Sequence, residues 1–290
     1  MLYLLLFISI VLCVCKSSSY NFYAKKEQPD VHGLFRFNFV CYAVAAGFAL
    51  VLSIGGSISL PTVLCALGYA VVVLLLQSIM IYAMKIGSMS TMSLLNLYGM
   101  VIPAIAGPIF WAESFGILQI VGLIAMIVSI FFFKEPSTND NNAGKLQIFL
   151  CIACFLMSGS AGLMEKIHQS TYGRAERSEF LAIAYSTMLL ISVIIFFITK
   201  KNSQVPLRNK KNFIITGILS GLITGGYSFV NLYLAGNLDT LIYYPVANGG
   251  ALLLTVFISV LLFHEKPTTK KIIGFVLGLI SVVLLCFPTI

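Results

Sequence analysis

The clearest candidate for chemistry is a lysine inside an apolar run. Lys16 lies within the run from residue 2 to residue 23, and three serines follow it directly. An ammonium group at that depth in a bilayer costs about 2.5–3.5 kcal/mol unless it faces water or a partner. We therefore expect Lys16 and Ser17 to face a polar cavity, where the ammonium would attract an anion or a carboxylate. The alternative is a shifted helix, with Lys16 reaching the membrane interface at its end.

Amide and phenol side chains complete this candidate site. The predicted substrate-binding residues are Lys16, Ser17, Asn96, Tyr98, Tyr227, Asn231, Tyr244 and Asn248. Tyr227 and Asn231 are four residues apart, as are Tyr244 and Asn248, so each pair lies on one face of a helix. Because unpaired amides are costly in hydrocarbon, these faces should point inward. They would line a cavity for a small polar or amphipathic solute, or else form hydrogen bonds that only join helices.

The sequence predicts no catalytic residue, no metal site and no cofactor. The three histidines lie near loops in no metal-binding pattern, and no nucleotide-binding loop or nucleophile motif occurs. Glu165 lies about 13 Å from the centre of its apolar run at about 1.5 Å per residue, and Lys166 follows it. We therefore expect Glu165 at the membrane interface rather than in a proton relay.

The composition requires that lipid surround most of these residues. Apolar residues make up 59% of the 290 positions and charged residues 10%, whereas a soluble domain is about half apolar and a quarter charged. The apolar runs are about 20 residues long, which suits helices that cross a hydrocarbon core, and they lack the alternation of barrel strands. We predict an all-α membrane protein with ten transmembrane helices, at about 2–23, 34–54, 61–84, 88–110, 116–133, 146–167, 179–199, 212–235, 240–262 and 271–287.

The net charge of +8 is spread over the connections between these helices. Lysine and arginine concentrate in the connections after odd-numbered helices, so the positive-inside rule places those connections in the cytoplasm and both termini outside. Nucleic acid is not an expected partner, because no contiguous basic face is present.

An internal repeat relates the two halves of the chain. A shift of 152 residues superposes Ala83 on Ala235, Asn96 on Asn248, Glu113 on Glu265, Ile120 on Ile272, Gly122 on Gly274 and Ser129 on Ser281. Each unit has five helices, so the second unit must be inverted in the membrane relative to the first. We predict two inverted repeats, residues 1–145 and 146–290. Inverted repeats are typical of alternating-access carriers, whose binding site lies between the units.

The same residues resemble the drug/metabolite transporter superfamily, in particular its ten-helix EamA-like branch. The resemblance rests on Trp111, Glu113, Gln119, Gly122 and Ser129 in the first unit, on His264, Glu265, Gly274, Gly278 and Ser281 in the second, and on Arg36 and Phe37. The resemblance implies a glutamate between the fourth and fifth helices of each unit and a glycine-rich fifth helix. It also implies a transporter.

We therefore predict a secondary transporter that moves a small organic solute (a metabolite, an amino acid or a drug-like molecule) by alternating access. Its partners would be the lipid bilayer and that solute, and its expected location is the cell membrane, as in a bacterial inner membrane. A membrane-embedded enzyme and a non-transporting scaffold or sensor are the alternatives, with a channel as a further one. The sequence does not indicate an oligomeric state.

Overall fold

A computed structural model of the chain describes residues 2–86, 92, 96–99, 101–111, 116–132, 141–171, 176–200, 209–238, 240–263 and 268–285. Within these residues the regular structure is helical. The described residues form ten helices: α1 (Leu2–Glu27), α2 (Val31–Leu52), α3 (Leu60–Ile86), α4 (Val101–Trp111), α5 (Ile117–Phe132), α6 (Asn141–Thr171), α7 (Arg177–Thr199), α8 (Lys210–Ala235), α9 (Thr240–Phe263) and α10 (Thr269–Leu285).

Local sequence sets the helix boundaries. Asp30 caps α2, since its Oδ1 accepts a 2.7 Å hydrogen bond from the Gly33 backbone N–H. Asn209 caps α8 in the same way, through a 3.2 Å bond from the Asn212 N–H. The chain turns between α2 and α3 at Gly55, whose φ of 88° suits a residue without a side chain.

Apolar runs therefore became helices close to the predicted boundaries. Within the described residues, six helices are long and apolar enough to cross a membrane: Leu2–Glu27, Val31–Leu52, Leu60–Ile86, Phe149–Ser170, Arg177–Thr199 and Lys210–Ala235. Of the helix predicted at 88–110, the structure describes a short helical piece at 96–98 and then α4. Glu113 and Glu265, predicted between the last two helices of each unit, lie outside the described residues.

The outer surface of the bundle is apolar. On α7, Leu190, Ile194, Phe197 and Ile198 are 56–70% exposed, and their spacing places them on one face of the helix. On the opposite side of α7, Tyr185 is buried. A large exposed apolar surface of this kind is suited to lipid tails rather than to water.

The bundle has two ends, which contacts of α3 define. At one end, Lys85 Nζ donates a 3.1 Å hydrogen bond to the carbonyl oxygen of Pro29, between α1 and α2. At the other end, Ser59 Oγ donates a 2.7 Å hydrogen bond to Glu176, which precedes α7. Because α3 has 27 residues, these ends, called here the Pro29 end and the Glu176 end, are about 40 Å apart.

Small residues bring α2 and α8 close together. An added Cβ on Gly221 would lie 2.5 Å from the Cys41 carbonyl oxygen of α2. Gly217 and Gly225 continue this contact along α2, against Val40 and Phe48. A larger side chain at Gly221 would therefore force the two backbones apart.

The fifth helices of the two predicted units also pack on each other, since α5 contacts α10. Ser129 on α5 and Ser281 on α10, two residues of the family resemblance, are both fully buried. Ser129 Oγ donates a 2.8 Å hydrogen bond to the Tyr98 hydroxyl, and the absence of a side chain at Gly278 leaves room for that hydroxyl. These residues therefore contribute to helix packing.

Candidate functional site

A cavity of about 120 Å³ lies at the centre of the bundle, between α1, α3, α4, α6, α7, α8 and α9. Its polar lining comprises Ser9, Lys16, Tyr20, Tyr69, Gln77, Asn96, Ser158, Glu165, Tyr185, Thr224, Tyr227, Ser228, Asn231, Tyr243 and Asn248. One ammonium, one carboxylate and a set of phenols, hydroxyls and amides therefore face a common space. Such groups fix the orientation of a small polar ligand in an otherwise apolar site.

Lys16 lies on the wall of this cavity, as the sequence predicts. Its Nζ is 4.3 Å from the centroid of the Tyr227 ring. The negative face of an aromatic ring attracts a cation, and by about 2 kcal/mol or more when water is excluded. Lys16 is thus a half-buried cation held against α8 at the middle of α1.

Glu165 corrects one expectation from the sequence. Its side chain is only 8% exposed, and it faces the cavity instead of lying free at an interface. Tyr69 donates a 2.8 Å hydrogen bond to Oε1, and Asn231 donates a 2.9 Å bond to Oε2. Lys16 attracts the carboxylate from across the cavity. The distance from the helix centre was a poor guide, because the end of α6 is covered by α3 and α8.

The Asn231 amide connects Glu165 to a further helix. While its nitrogen donates to Glu165, its oxygen accepts a hydrogen bond from the Tyr243 hydroxyl of α9. Asn231 is therefore held in one orientation by a carboxylate on one side and a phenol on the other. An amide fixed in this way is a component of the cavity wall rather than a freely rotating side chain.

A second network, which the sequence analysis missed, surrounds Gln77 on α3. Gln77 Oε1 accepts two hydrogen bonds of 2.7 Å, from the hydroxyls of Tyr20 and Tyr42. Gln77 Nε2 donates a 2.8 Å bond to Asn38. The Tyr20 hydroxyl also lies 3.1 Å from Thr224 Oγ1 on α8. Gln77 is a lone amide in an apolar run and lacks the polar partner four residues away that singled out Asn231. The cost of an unpaired amide in hydrocarbon applies to Gln77 equally and could have identified it.

The predicted site residues are only partly brought together. Lys16, Asn96, Tyr227, Asn231 and Asn248 all line the cavity. Ser17 and Tyr98 are buried but are not part of the lining. Ser17 is the residue after Lys16 and so points to another face of α1, while the Tyr98 hydroxyl is engaged by Ser129. The side chain of Tyr244 lies outside the described part of the structure.

Asn96 is a half-buried residue whose amide oxygen has an unusual environment. Its Oδ1 is shielded from solvent and has no hydrogen-bond partner among the described residues. Its backbone carbonyl accepts a 2.5 Å bond from Ser158 of α6. A buried acceptor without a partner costs about 1–3 kcal/mol, and this one belongs to a residue of the cavity wall.

A separate polar cluster lies at the Glu176 end, outside the cavity lining. His168 is fully buried; its Nε2 lies 3.1 Å from Thr62 Oγ1, and its ring stacks on Phe180 with a centroid distance of 4.3 Å. Glu176 accepts hydrogen bonds from the Ser59 hydroxyl and backbone N–H. Hydrogen bonding by Thr62, then by Ser59, lowers the pKa of the Glu176 carboxyl. This cluster ties α3 to the connection between α6 and α7.

An apolar helix bundle around a polar, charged cavity defines a multi-pass membrane protein with an internal cavity. Residues 145–287 match the sequence model of the EamA-like transporter family. The match, which covers just under half of the chain, confirms the resemblance to the drug/metabolite transporter superfamily.

The fold of the whole chain is similar to that of a solved structure described only as "Crystal structure of protein". The TM-score is 0.66 at 9% sequence identity, with 97% of this chain and 94% of that chain covered. Identity this low shows a shared fold alone. Comparison with curated proteins gives no match.

Proposed function

We propose that the protein is a secondary transporter that moves a small organic solute across the membrane by alternating access. The solute would be a metabolite, an amino acid or a drug-like molecule that carries at least one charged or strongly polar group. The two moving bodies would be inverted five-helix units, residues 1–145 and 146–290. The family match to the second half supports membrane transport in general.

The observation that carries this proposal is the pair of charges in the central cavity. Lys16 and Glu165 both face it, although each lies in a helix that is apolar and long enough to cross a bilayer. Charges inside transmembrane segments are costly and typically mark a substrate or ion pathway. The surrounding phenols and amides supply the directional hydrogen bonds that a solute would exchange for its water.

Helix neighbours support the two-unit interpretation. Each helix of the first five has a counterpart five helices later. When both helices of a contacting pair are replaced by their counterparts, the result is another contacting pair: α1–α8 corresponds to α6–α3, α2–α8 to α7–α3, and α1–α9 to α6–α4. The contacting pairs α2–α7 and α5–α10 each join a helix to its own counterpart, so the replacement leaves them unchanged. In addition, α1 ends at the Pro29 end while α6 ends at the Glu176 end. This opposite direction is what inverted units require.

The proposed location is the cell membrane, as in a bacterial inner membrane. In the orientation that the positive-inside rule predicts, the Pro29 end is cytoplasmic, because Lys25, Lys26 and Lys85 lie there.

The test is transport by purified protein in liposomes. Solid-supported-membrane currents would detect electrogenic transport, and counterflow would detect electroneutral exchange. The panel contains amino acids, nucleosides, sugar phosphates and cationic drugs, with protein-free liposomes as the blank. At least one solute class should give flux above the blank; no flux by either method across the panel would contradict the proposal.

The alternatives make different predictions for the same preparation. A membrane-embedded enzyme would lose a chemical activity on His168→Ala and give no flux. Burial of His168 and its contacts with Thr62 and Phe180 favour a packing role for this residue. A scaffold or sensor would give no flux, and its partner binding would survive substitution of cavity residues such as Lys16.

A further inference from the structure

Two polar side chains connect α3 to α8 at two different levels of the cavity. Tyr20 of α1 makes one bridge: its hydroxyl donates to Gln77 Oε1 of α3 at 2.7 Å and lies 3.1 Å from Thr224 Oγ1 of α8. Glu165 of α6 makes the other: its two oxygens accept from Tyr69 of α3 at 2.8 Å and from Asn231 of α8 at 2.9 Å. All six side chains line the cavity.

The bridges lie at opposite ends of the cavity. Tyr69 and Gln77 are eight residues apart on α3, which corresponds to about 12 Å along the helix. On α8, Asn231 and Thr224 are seven residues apart, or about 10 Å. Glu165 lies on the side of the Glu176 end, and Tyr20 on the side of the Pro29 end. Lys16, one turn before Tyr20, lies between the two levels.

The bridged helices are the ones that opening would separate. In the proposed two-unit arrangement α3 and α8 are counterparts, and so are α1 and α6, which supply the bridging residues. Separating α3 from α8 at one end breaks the bridge at that end and leaves the other intact. A polar bridge at each end can therefore hold that end closed.

The two bridges differ in charge. The Glu165 carboxylate accepts from two neutral donors, and such charge-assisted bonds are about twice as strong as neutral ones. Protonation turns one oxygen into a hydroxyl and removes the charge that both donors share. The Tyr20 bridge consists of a phenol, an amide and an alcohol, which do not titrate between about pH 5 and pH 8.

We propose that Glu165 is a proton-controlled gate for the Glu176 end of the cavity, and that Tyr20 is its pH-independent counterpart at the Pro29 end. This inference rests on the proposed alternating access. Protonating Glu165 weakens the hydrogen bonds from Tyr69 and Asn231, so the Glu176 end opens more often at low pH.

The groups that face Glu165 from the packed helices are consistent with this role. They are Lys16 on α1, Tyr69 on α3, Tyr185 on α7 and Tyr227 on α8, with Tyr243 of α9 reached through Asn231. The phenols stay neutral between about pH 5 and pH 8. The Lys16 ammonium favours the charged carboxylate, so its attraction is lost together with the charge.

The test labels a single cavity thiol from each side of the membrane. Cys13 lines the cavity, so the other six cysteines are replaced by alanine and Cys13 is reacted with a membrane-impermeant maleimide. Intact spheroplasts and inverted vesicles give the rate from each end. Ionisation of the Cys13 thiol changes both rates by the same factor, so the ratio of the two rates at one pH does not depend on it.

The ratio of labelling from the Glu176 end to labelling from the Pro29 end, measured from about pH 8 downward, should rise at least about fivefold as Glu165 becomes protonated. Glu165→Gln should make the ratio independent of pH. Glu179→Gln is the matched control: Glu179 is a buried carboxylate of α7 outside the cavity lining, so its variant should keep the response. Tyr20→Phe should speed labelling from the Pro29 end at every pH.

Two outcomes overturn this inference: a ratio that does not change with pH, or a pH response that survives Glu165→Gln. If Cys13 reacts from one end only under all conditions, alternating access itself fails, which separates the two proposals. Hydrogen–deuterium exchange of the protein with all its cysteines, in nanodiscs, gives a second measurement. Corrected for intrinsic rates, protection of segment 160–170 should fall at low pH relative to segment 20–38, and equal protection at both pH values would contradict the gate.

Discussion

Asn231 Nδ2 donates a 2.9 Å hydrogen bond to Glu165 Oε2, and this contact joins α8 to α6 at the wall of the cavity. Because the Asn231 oxygen accepts from Tyr243 at the same time, one amide satisfies a carboxylate and a phenol from two other helices. Side chains that look unrelated in the sequence thus form one polar unit inside an apolar bundle.

Replacing this amide should destabilise the protein. Asn231→Ala leaves a buried carboxylate oxygen and a buried phenol with one partner fewer, at a cost of about 1–3 kcal/mol each. The midpoint of thermal unfolding in detergent should therefore fall by several degrees. Asn237→Ala is the matched control, because Asn237 is exposed at the end of α8. Equal midpoints for the two variants would show that the contact contributes little.

The crossing of α8 over α2 predicts a difference between two glycines of the same helix. Gly221→Ala places a Cβ 2.5 Å from the Cys41 carbonyl oxygen, whereas an added Cβ at Gly226 meets nothing within 4 Å. Gly221→Ala should lower the unfolding midpoint and the yield of folded protein. Gly226→Ala should leave both unchanged or raise them slightly, since alanine favours helix by about 1 kcal/mol over glycine. A Gly221→Ala protein as stable as the wild type would contradict the close crossing.

The Glu176 carboxylate predicts a pH dependence of stability. Its folded pKa lies below the ordinary 4.5, so its stabilising effect is complete above pH 4.5 and is lost as pH falls through the folded pKa. Wild-type protein should therefore unfold at a higher temperature than Glu176→Gln at pH 7. The difference should shrink as the pH is lowered below 4.5. A difference that is the same at both pH values would mean that the charge of Glu176 does not matter.

The sequence predicts the helices well because the signal is local. An apolar run such as 179–199 has to span hydrocarbon, and the structure places α7 at Arg177–Thr199. Lys16 could be assigned to the cavity for a related reason, since a charge inside such a run has few acceptable environments. The same reasoning applies to the polar side chains that were predicted inside apolar runs and that line the cavity with Lys16. They are Asn96, Tyr227, Asn231 and Asn248.

The partners of these residues could not be predicted, because they depend on how distant helices pack. The bond between Tyr69 and Glu165 joins residues 96 positions apart, and that between Tyr20 and Thr224 spans 204. Depth along one helix misplaced Glu165, since its burial comes from neighbouring helices. Ser17 continues the polar stretch after Lys16, but adjacent helical residues point about 100° apart and do not share a face.

Counterflow in proteoliposomes made with wild-type protein, Lys16→Ala and Lys210→Ala tests transport through the cavity most directly. Lys16 faces the cavity, while Lys210 is exposed at the start of α8. For a solute that the wild type exchanges, Lys16→Ala should slow counterflow at least about tenfold, in line with the loss of a desolvated cation, and Lys210→Ala should match the wild type. Wild-type flux no faster than that of protein-free liposomes, or a Lys16→Ala rate equal to the wild-type rate, would contradict transport through this cavity.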